Sequence, residues 1–172
     1  IAETVVTNQR TNSHNGVTDV SFQQQLDGID VFAGVLKVNI APDGSILSVS
    51  NRFVSDVASK ARVRKPTLSA EAAVLAAARA LGLEGRGAPQ LKEELGGPSR
   101  KVVFAPSGLS KRDIPVRLVY LKRGNGQVRL AWDLPIETDQ EHYWQVQVDA
   151  VTGLVLQRRN YVLNHSYKVY PI

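Results

Sequence analysis

The chain has 172 residues, is 43% hydrophobic and 22% charged, and carries a formal net charge of +5 with no cysteine. That length buries a real core as one ordinary domain or two small ones, and the composition is that of a globular chain, not a disordered one. The missing cysteines exclude a disulfide framework, thiol catalysis and thiolate metal sites, and the longest apolar run, Ala72 to Leu83, is too short and too rich in alanine to span a bilayer.

The chain opens at Ile1 without a charged-then-apolar leader, which suggests a product from which an upstream segment was removed. Residues 3–12 read as a first strand, ended by Asn15-Gly16. From Val17 the pattern alternates strictly. Val20, Phe22, Gln24 and Leu26 point one way, and Asp19, Ser21, Gln23 and Gln25 the other, the period of a half-buried strand. Asp27-Gly28 supplies the positive φ of a tight hairpin. Val35 to Ile40 is the next strand. Ala41 to Gly44 make a turn, in which Pro42 pre-sets φ, and Ser45 to Val54 is the third strand. The first third is an antiparallel meander.

Composition changes near Ala61 to Pro66. The densest basic run, Lys60, Arg62, Arg64 and Lys65, ends there at a proline and reads as a solvated connector. The other lysines and arginines are scattered, so no nucleic-acid partner is expected. The strongest helix signal follows in "TLSAEAAVLAAARALGLEG". Ser69 can cap the first turn, Glu71 faces the positive dipole end, and Gly82 suits the left-handed cap. Val74, Ala77, Ala78 and Leu81 form its apolar stripe. So many alanines require a flat surface close by, such as a sheet.

The remainder is strands: Lys101 to Ala105, Val116 to Lys122, Gln127 to Ile136, Tyr143 to Asp149 and Leu154 to Val162. "RGNGQ" and "AVTG" are turns, and "ETDQEH" is a longer loop. Val128, Leu130, Trp132 and Leu134 share one face, and Trp144, Val146 and Val148 another; both can cover the helix. The predicted architecture is α+β: two small modules of antiparallel sheet, the second packed on one α-helix.

Groups that could do chemistry are few. The histidines are His14, His142 and His165, and no two are spaced i, i+4 as a helical zinc motif needs. There is no phosphate-binding loop, dinucleotide fingerprint or nucleophile elbow. The best metal candidates, Glu137, Asp139, Glu141 and His142, lack the glycine turn and distal bidentate acid of a calcium loop and read as a solvated hairpin. Asp133 reads as one exposed charge of a strand's alternation, which gives no basis for pairing it with Glu137 in acid–base work. Trp132, Tyr143 and Trp144 read as core at strand spacing, and His14 as a turn residue. No catalytic, cofactor-binding or metal residue is assigned, and none of the residues names a partner.

The order of these segments carries more. "HNGVTDVSFQQQLDGIDVFAGVLKVNIAPDGSILSVSNRFV", His14 to Val54, resembles the fungalysin/thermolysin propeptide (FTP) module, departing from its pattern at Asp19 and Ser21. "LSAEAAVLAAARALGL" looks like the helix of a PepSY-type domain. Val116 to Val162 resembles the sheet that follows in fungalysin-type (M36) propeptides, with its W-D-L strand and its V-D-A-x-T-G turn. "HSYKVYPI" is similar to the first residues of a mature fungalysin catalytic domain.

The resemblance implies a cystatin/PepSY-like second module and three segments: 1–62, an FTP module; 63–164, a PepSY-like module; and 165–172, the start of the mature peptidase. It implies a secreted propeptide that inhibits its metallopeptidase and assists its folding. The partner would be the cognate catalytic domain, which would hold the zinc, so this chain would not hydrolyse peptides. Without a cysteine to place on that zinc, inhibition would be steric and substrate-like. Tyr161, Val162, Leu163 and Asn164 would occupy the cleft, with Leu163 filling a pocket. The scissile bond is placed at Asn164–His165, with Ser166 on its far side. The rival reading is a stand-alone FTP/PepSY-like module that regulates a peptidase in trans.

Overall fold

The computed structural model describes residues 2–124, 126–139 and 141–162. The described residues are mainly β-sheet, with one helix of 11 residues and another of 4. In chain order the elements are β1 (Ala2–Thr11), β2 (Thr18–Leu26), β3 (Ile29–Ile40), β4 (Ile46–Asn51), α1 (Val57–Lys60), α2 (Ala70–Ala80), β5 (Leu91–Gly96), β6 (Lys101–Phe104), β7 (Ile114–Lys122), β8 (Val128–Asp139), β9 (His142–Asp149) and β10 (Val155–Asn160). They fall into two compact units. One is built from Ile1–Thr67, Gly96–Arg100 and Leu118–Ala131, the other from Leu68–Leu95, Lys101–Arg117 and Trp132–Ile172.

In the first unit, β2 pairs antiparallel with β1 on one side and β3 on the other, and β3 pairs with β4. Asp27 and Gly28 turn β2 into β3 with φ of 52° and 72°, the double left-handed conformation of a twist-matched hairpin turn. A Cβ at Gly28 would lie 2.8 Å from the Pro98 ring, so sterics add to the need for glycine there.

β3 starts at Ile29, not at the expected Val35. A bulge carries the strand through "DVFAG". The register against β2 shifts between Gln23 and Gln25, and Ala33 sits at φ 57°. The Gln23 amide bridges the irregularity, donating from Nε2 to the carbonyls of Val31 (2.7 Å) and Gly34 (3.1 Å). Beside it, buried Gln24 acts like a short stretch of strand. Its Nε2 donates to the Val54 carbonyl and its Oε1 accepts from the Val54 amide, both at 2.8 Å.

After Val54 the chain forms α1, absent from the sequence-based expectation. In the basic stretch that follows, Arg62, Arg64 and Lys65 are exposed as expected, but Arg64 is also engaged by the fold. Arg64 donates to Asp27 Oδ2 at 2.6 Å, to the Ala58 carbonyl at 2.7 Å and to the Ala61 carbonyl at 3.0 Å. It ties the β2–β3 turn to the end of α1.

In the second unit, α2 forms where predicted. Ser69 Oγ accepts from the Ala72 amide at 3.1 Å, and Glu71 lies in the first turn. At the other end Gly82 takes φ 70°, and the Leu83 amide reaches back to the Ala78 carbonyl at 2.9 Å. The buried face is Ala73, Val74, Ala77 and Ala78; Leu81, expected in that stripe, is half-buried at the cap. α2 packs on β9 and β10. Trp132 is 3% exposed, and its Nε1 donates to the Leu68 carbonyl at 2.9 Å, just before the helix. Val146 and Val148 of β9 are buried as expected, whereas Trp144 is half-buried.

β8 continues to Asp139 and β9 begins at His142, so most of "ETDQEH" is strand, not a longer loop. β5, also unexpected, pairs with β6. The β9–β10 turn is held by Asp149, whose Oδ1 accepts from the amides of Val151 (3.0 Å) and Thr152 (2.9 Å).

Two outcomes test this packing. Trp132→Ala is expected to lower unfolding free energy by about 3–5 kcal/mol in urea titrations, because it removes a fully packed indole. Gln24→Ala leaves the Val54 amide and carbonyl unpaired in a buried site and is expected to cost about 2–4 kcal/mol by the same measurement. A loss below about 1 kcal/mol would mean that water replaces the glutamine.

Candidate interaction surfaces

The first candidate is the exit from β10, where the sequence places the cleft-occupying segment. Asn160 organises it. Its Oδ1 accepts from the amides of Tyr143 and Val162, both at 3.1 Å, and its Nδ2 donates to the Glu141 carbonyl at 3.0 Å. The Tyr161 amide donates to the Tyr143 carbonyl at 2.9 Å, and the two tyrosine rings meet at 6.5 Å, tilted by 57°. Tyr161 is nonetheless 51% exposed. The chain is therefore fastened to β9 through Val162. Leu163, Asn164, His165 and Ser166, the rest of the expected segment and junction, lie outside the described residues.

The acidic stretch lies on the β8–β9 hairpin. Asp139 Oδ1 pairs with His142 Nδ1 at 2.8 Å and accepts from the Glu141 amide at 2.8 Å. Glu137 pairs instead with Arg112, at 3.0 Å. The hydrogen bond from His142 holds the Asp139 carboxyl below the usual aspartate range, with the Glu141 amide adding to it. The His142 ring stacks on Trp144 at 5.9 Å, with 11° between the planes, and the Arg158 guanidinium lies 5.8 Å from the same indole. Trp144 is thus half-buried, partly covered by His142 and Arg158, and not in the core. Among the described residues, no cluster of three or more histidine and carboxylate side chains could hold a metal ion.

Asp133 corrects a sequence expectation. It is buried, 6% exposed, instead of being an exposed charge. It accepts from Gln147 Nε2 at 2.7 Å and from the Gln145 amide, with Arg117 Nε 3.7 Å away. A buried carboxylate held this way is satisfied by neutral amides and one distant cation, which suits structure more than proton transfer.

The last candidate went unnoticed in the sequence because it needs the strand register. Partners across β1 to β4 align in rows: Thr11, Thr18, Ile40 and Ile46; Gln9, Val20, Val38 and Val49; Val6, Phe22, Leu36 and Asn51. The Thr11 and Thr18 hydroxyls, 2.9 Å apart, mark them as neighbours on one face. None of the rows contains a charge and none of these side chains is buried. Val6, Val49 and Ile46 are 54%, 56% and 66% exposed.

Residues 2–53 match the family described as the Fungalysin/Thermolysin Propeptide Motif, a span that holds all of β1 to β4. The chain is 33% identical over 159 residues to the extracellular metalloproteinase mep of Aspergillus niger, and 31% identical over 162 residues to the extracellular metalloproteinase MEP of Leptosphaeria maculans. Each alignment covers 91% of this chain and 25% of the relative, so the chain spans about a quarter of the length of the curated relatives it matches. Among solved structures, the YpeB C-terminal domain of Bacillus megaterium is similar at a TM-score of 0.44 and 17% identity, covering 94% of this chain and 57% of that one.

The Asp139–His142 hydrogen bond makes a testable statement about pH. A carboxyl with a lowered folded-state pKa stabilises the fold above its unfolded value, and the contribution disappears as pH falls through the folded one. The Asp139 carboxyl resonance is expected to titrate below that of an unstructured aspartate, and His142→Ala to bring its midpoint back up. An unchanged midpoint in that variant would remove His142 as the cause.

Proposed function

We infer, from a chain that carries the fungalysin/thermolysin propeptide motif and corresponds to the propeptide region of fungalysin-type extracellular metalloproteinases, that it inhibits the catalytic domain of its own precursor and assists its folding. The observation that carries the reading is the motif over residues 2–53 together with relatives about four times the chain's length. The catalytic zinc belongs to that partner domain. On this reading residues 1–62 are the FTP module, 63–164 the PepSY-like module and 165–172 the start of the mature enzyme, and the precursor is secreted.

With no cysteine in the chain, a thiolate on the partner's zinc is not available, and occlusion must be steric. Tyr161 and Val162 lead into the cleft, followed by Leu163 and Asn164, with Leu163 in a pocket and cleavage at Asn164–His165. The fastening at Asn160 supports this reading. A segment whose preceding turn is already hydrogen-bonded to β9 loses less conformational entropy on entering a cleft than a free peptide would. A short peptide alone binds weakly, so most of the hold comes from the folded body.

The chain is expected to inhibit the mature peptidase of its own precursor in trans, and an unrelated thermolysin-like enzyme much less. Deleting Val162 to Asn164 should leave the thermal transition in place and weaken inhibition by about tenfold or more, whereas removing residues 165–172 should change it little. Unchanged inhibition after the first deletion would sink the cleft-occupying role.

A further inference from the structure

We propose that the uncharged face of the β1–β4 sheet docks on the catalytic portion of the same precursor, as a contact separate from the cleft-occupying segment. The inference rests on the propeptide reading and names the surface that does the holding. Strand alternation puts two chemically different faces on one sheet. The docking face carries Val6, Val20, Phe22, Leu36, Val38, Ile40, Ile46 and Val49 with threonine, glutamine and asparagine between them. On the same strands Glu3, Arg10, Asp19 and Lys37 all belong to the opposite face. A sheet solvated on both sides needs no such segregation. One face packed and one solvated is what produces it. Depletion of charge with retention of aliphatic and aromatic groups is also the signature of an interface centre.

Size points the same way. Four strands spaced ~4.8 Å apart and three rows along them give a footprint of roughly 20 Å by 20 Å, about 400 Å². Exposed apolar patches of that order mark interaction sites. It is also about half of the ~800 Å² per partner in a stable interface, so the face must act together with other contacts, the exit segment included.

Three observations select the occupant. The matched propeptide motif, residues 2–53, coincides with the strands that build the face. The relatives are extracellular metalloproteinases of which this chain represents 25%, so most of such a precursor lies outside it. A partner on the same polypeptide is present at an effective concentration in the millimolar range, which a second secreted copy cannot match. The complementary surface on the peptidase would be apolar and uncharged, offering a flat or gently concave seat.

The test uses exposed positions of β4. Ile46→Lys and Val49→Lys put a charge on the docking face, and Ser48→Lys puts one on the opposite face of the same strand. All three sites are exposed, so the variants should keep the wild-type circular dichroism and thermal transition. Each 172-residue chain is titrated against the mature peptidase of its own precursor. Val49→Lys and Ile46→Lys are expected to raise the inhibition constant about 30-fold, and Ser48→Lys less than about threefold. Amide exchange in β4 should slow on complex formation in the wild type, an expectation independent of any variant. Inhibition unaffected by both face variants, or no protection of β4, overturns the docking face while leaving the propeptide reading intact. A wild-type chain that does not inhibit overturns both. A dimer of the free chain that Val49→Lys dissociates, with inhibition unchanged, assigns the face to a second copy and overturns the proposal.

Discussion

Three consecutive glutamines, Gln23, Gln24 and Gln25, set the geometry of the first sheet. Each does something different because alternation aims them apart. Gln23 points to one face and satisfies the carbonyls that the β3 bulge leaves over. Gln24 points to the other and pairs both backbone groups of Val54. Gln25 bonds Asp30 Oδ1 across the hairpin at 2.8 Å. Shorter polar residues would not reach, and charged ones could not supply donor and acceptor at once. The bulge lets β3 turn from its buried start at Ile29 and Val31 to the half-exposed Leu36 to Ile40 without breaking the pairing. Register across all four strands, and with it the separation of an apolar from a charged face, depends on that continuity.

Much of the fold was legible where local chemistry and tertiary structure agree. Asp27-Gly28, the Ser69 cap, the Gly82 stop and the alternation of β2 are each dictated within a few residues, and the structure follows them. The misses share a physical cause. β5 runs through Leu91-Lys92-Glu93-Glu94, every residue exposed, so no period-two contrast exists to detect. α1 has a single buried residue, Val57, and is shorter than the window in which helical periodicity shows. β3 was expected only from Val35 because the amide that repairs the bulge ahead of it comes from β2, which local pattern cannot report.

The same distinction separates the site readings. The acidic hairpin reads from sequence as a solvated loop, and in the structure Asp139 contacts His142 while Glu137 pairs with Arg112. Asp133 was misread because the strand's second face is also buried, and the glutamines that accept its company lie 12 and 14 residues away on β9. The basic run at residues 60–65 carries more structure than its composition suggests. Arg64 places all three nitrogens of its guanidinium on oxygens of its own unit, a fork that lysine could not reproduce. Surface-like composition is therefore a poor guide to which cations are free.

An uncovered apolar sheet face has a thermodynamic consequence whatever occupies it. The side chains that β1 and β4 add to the three rows contribute little to the stability of the free chain, because burial and not mere proximity removes apolar area from water, whereas those of β2 and β3 are half-buried. The remaining support for β1 and β4 is backbone pairing, and both strands are exposed along their whole length. Such strands open locally at lower free energy than the buried β7 and β8. A partner that covers the face adds its binding free energy to the folded state of this sheet alone. Tight association and a fully formed first sheet then become one event, in which the most local, turn-directed part of the chain supplies the shape and the partner supplies the missing layer.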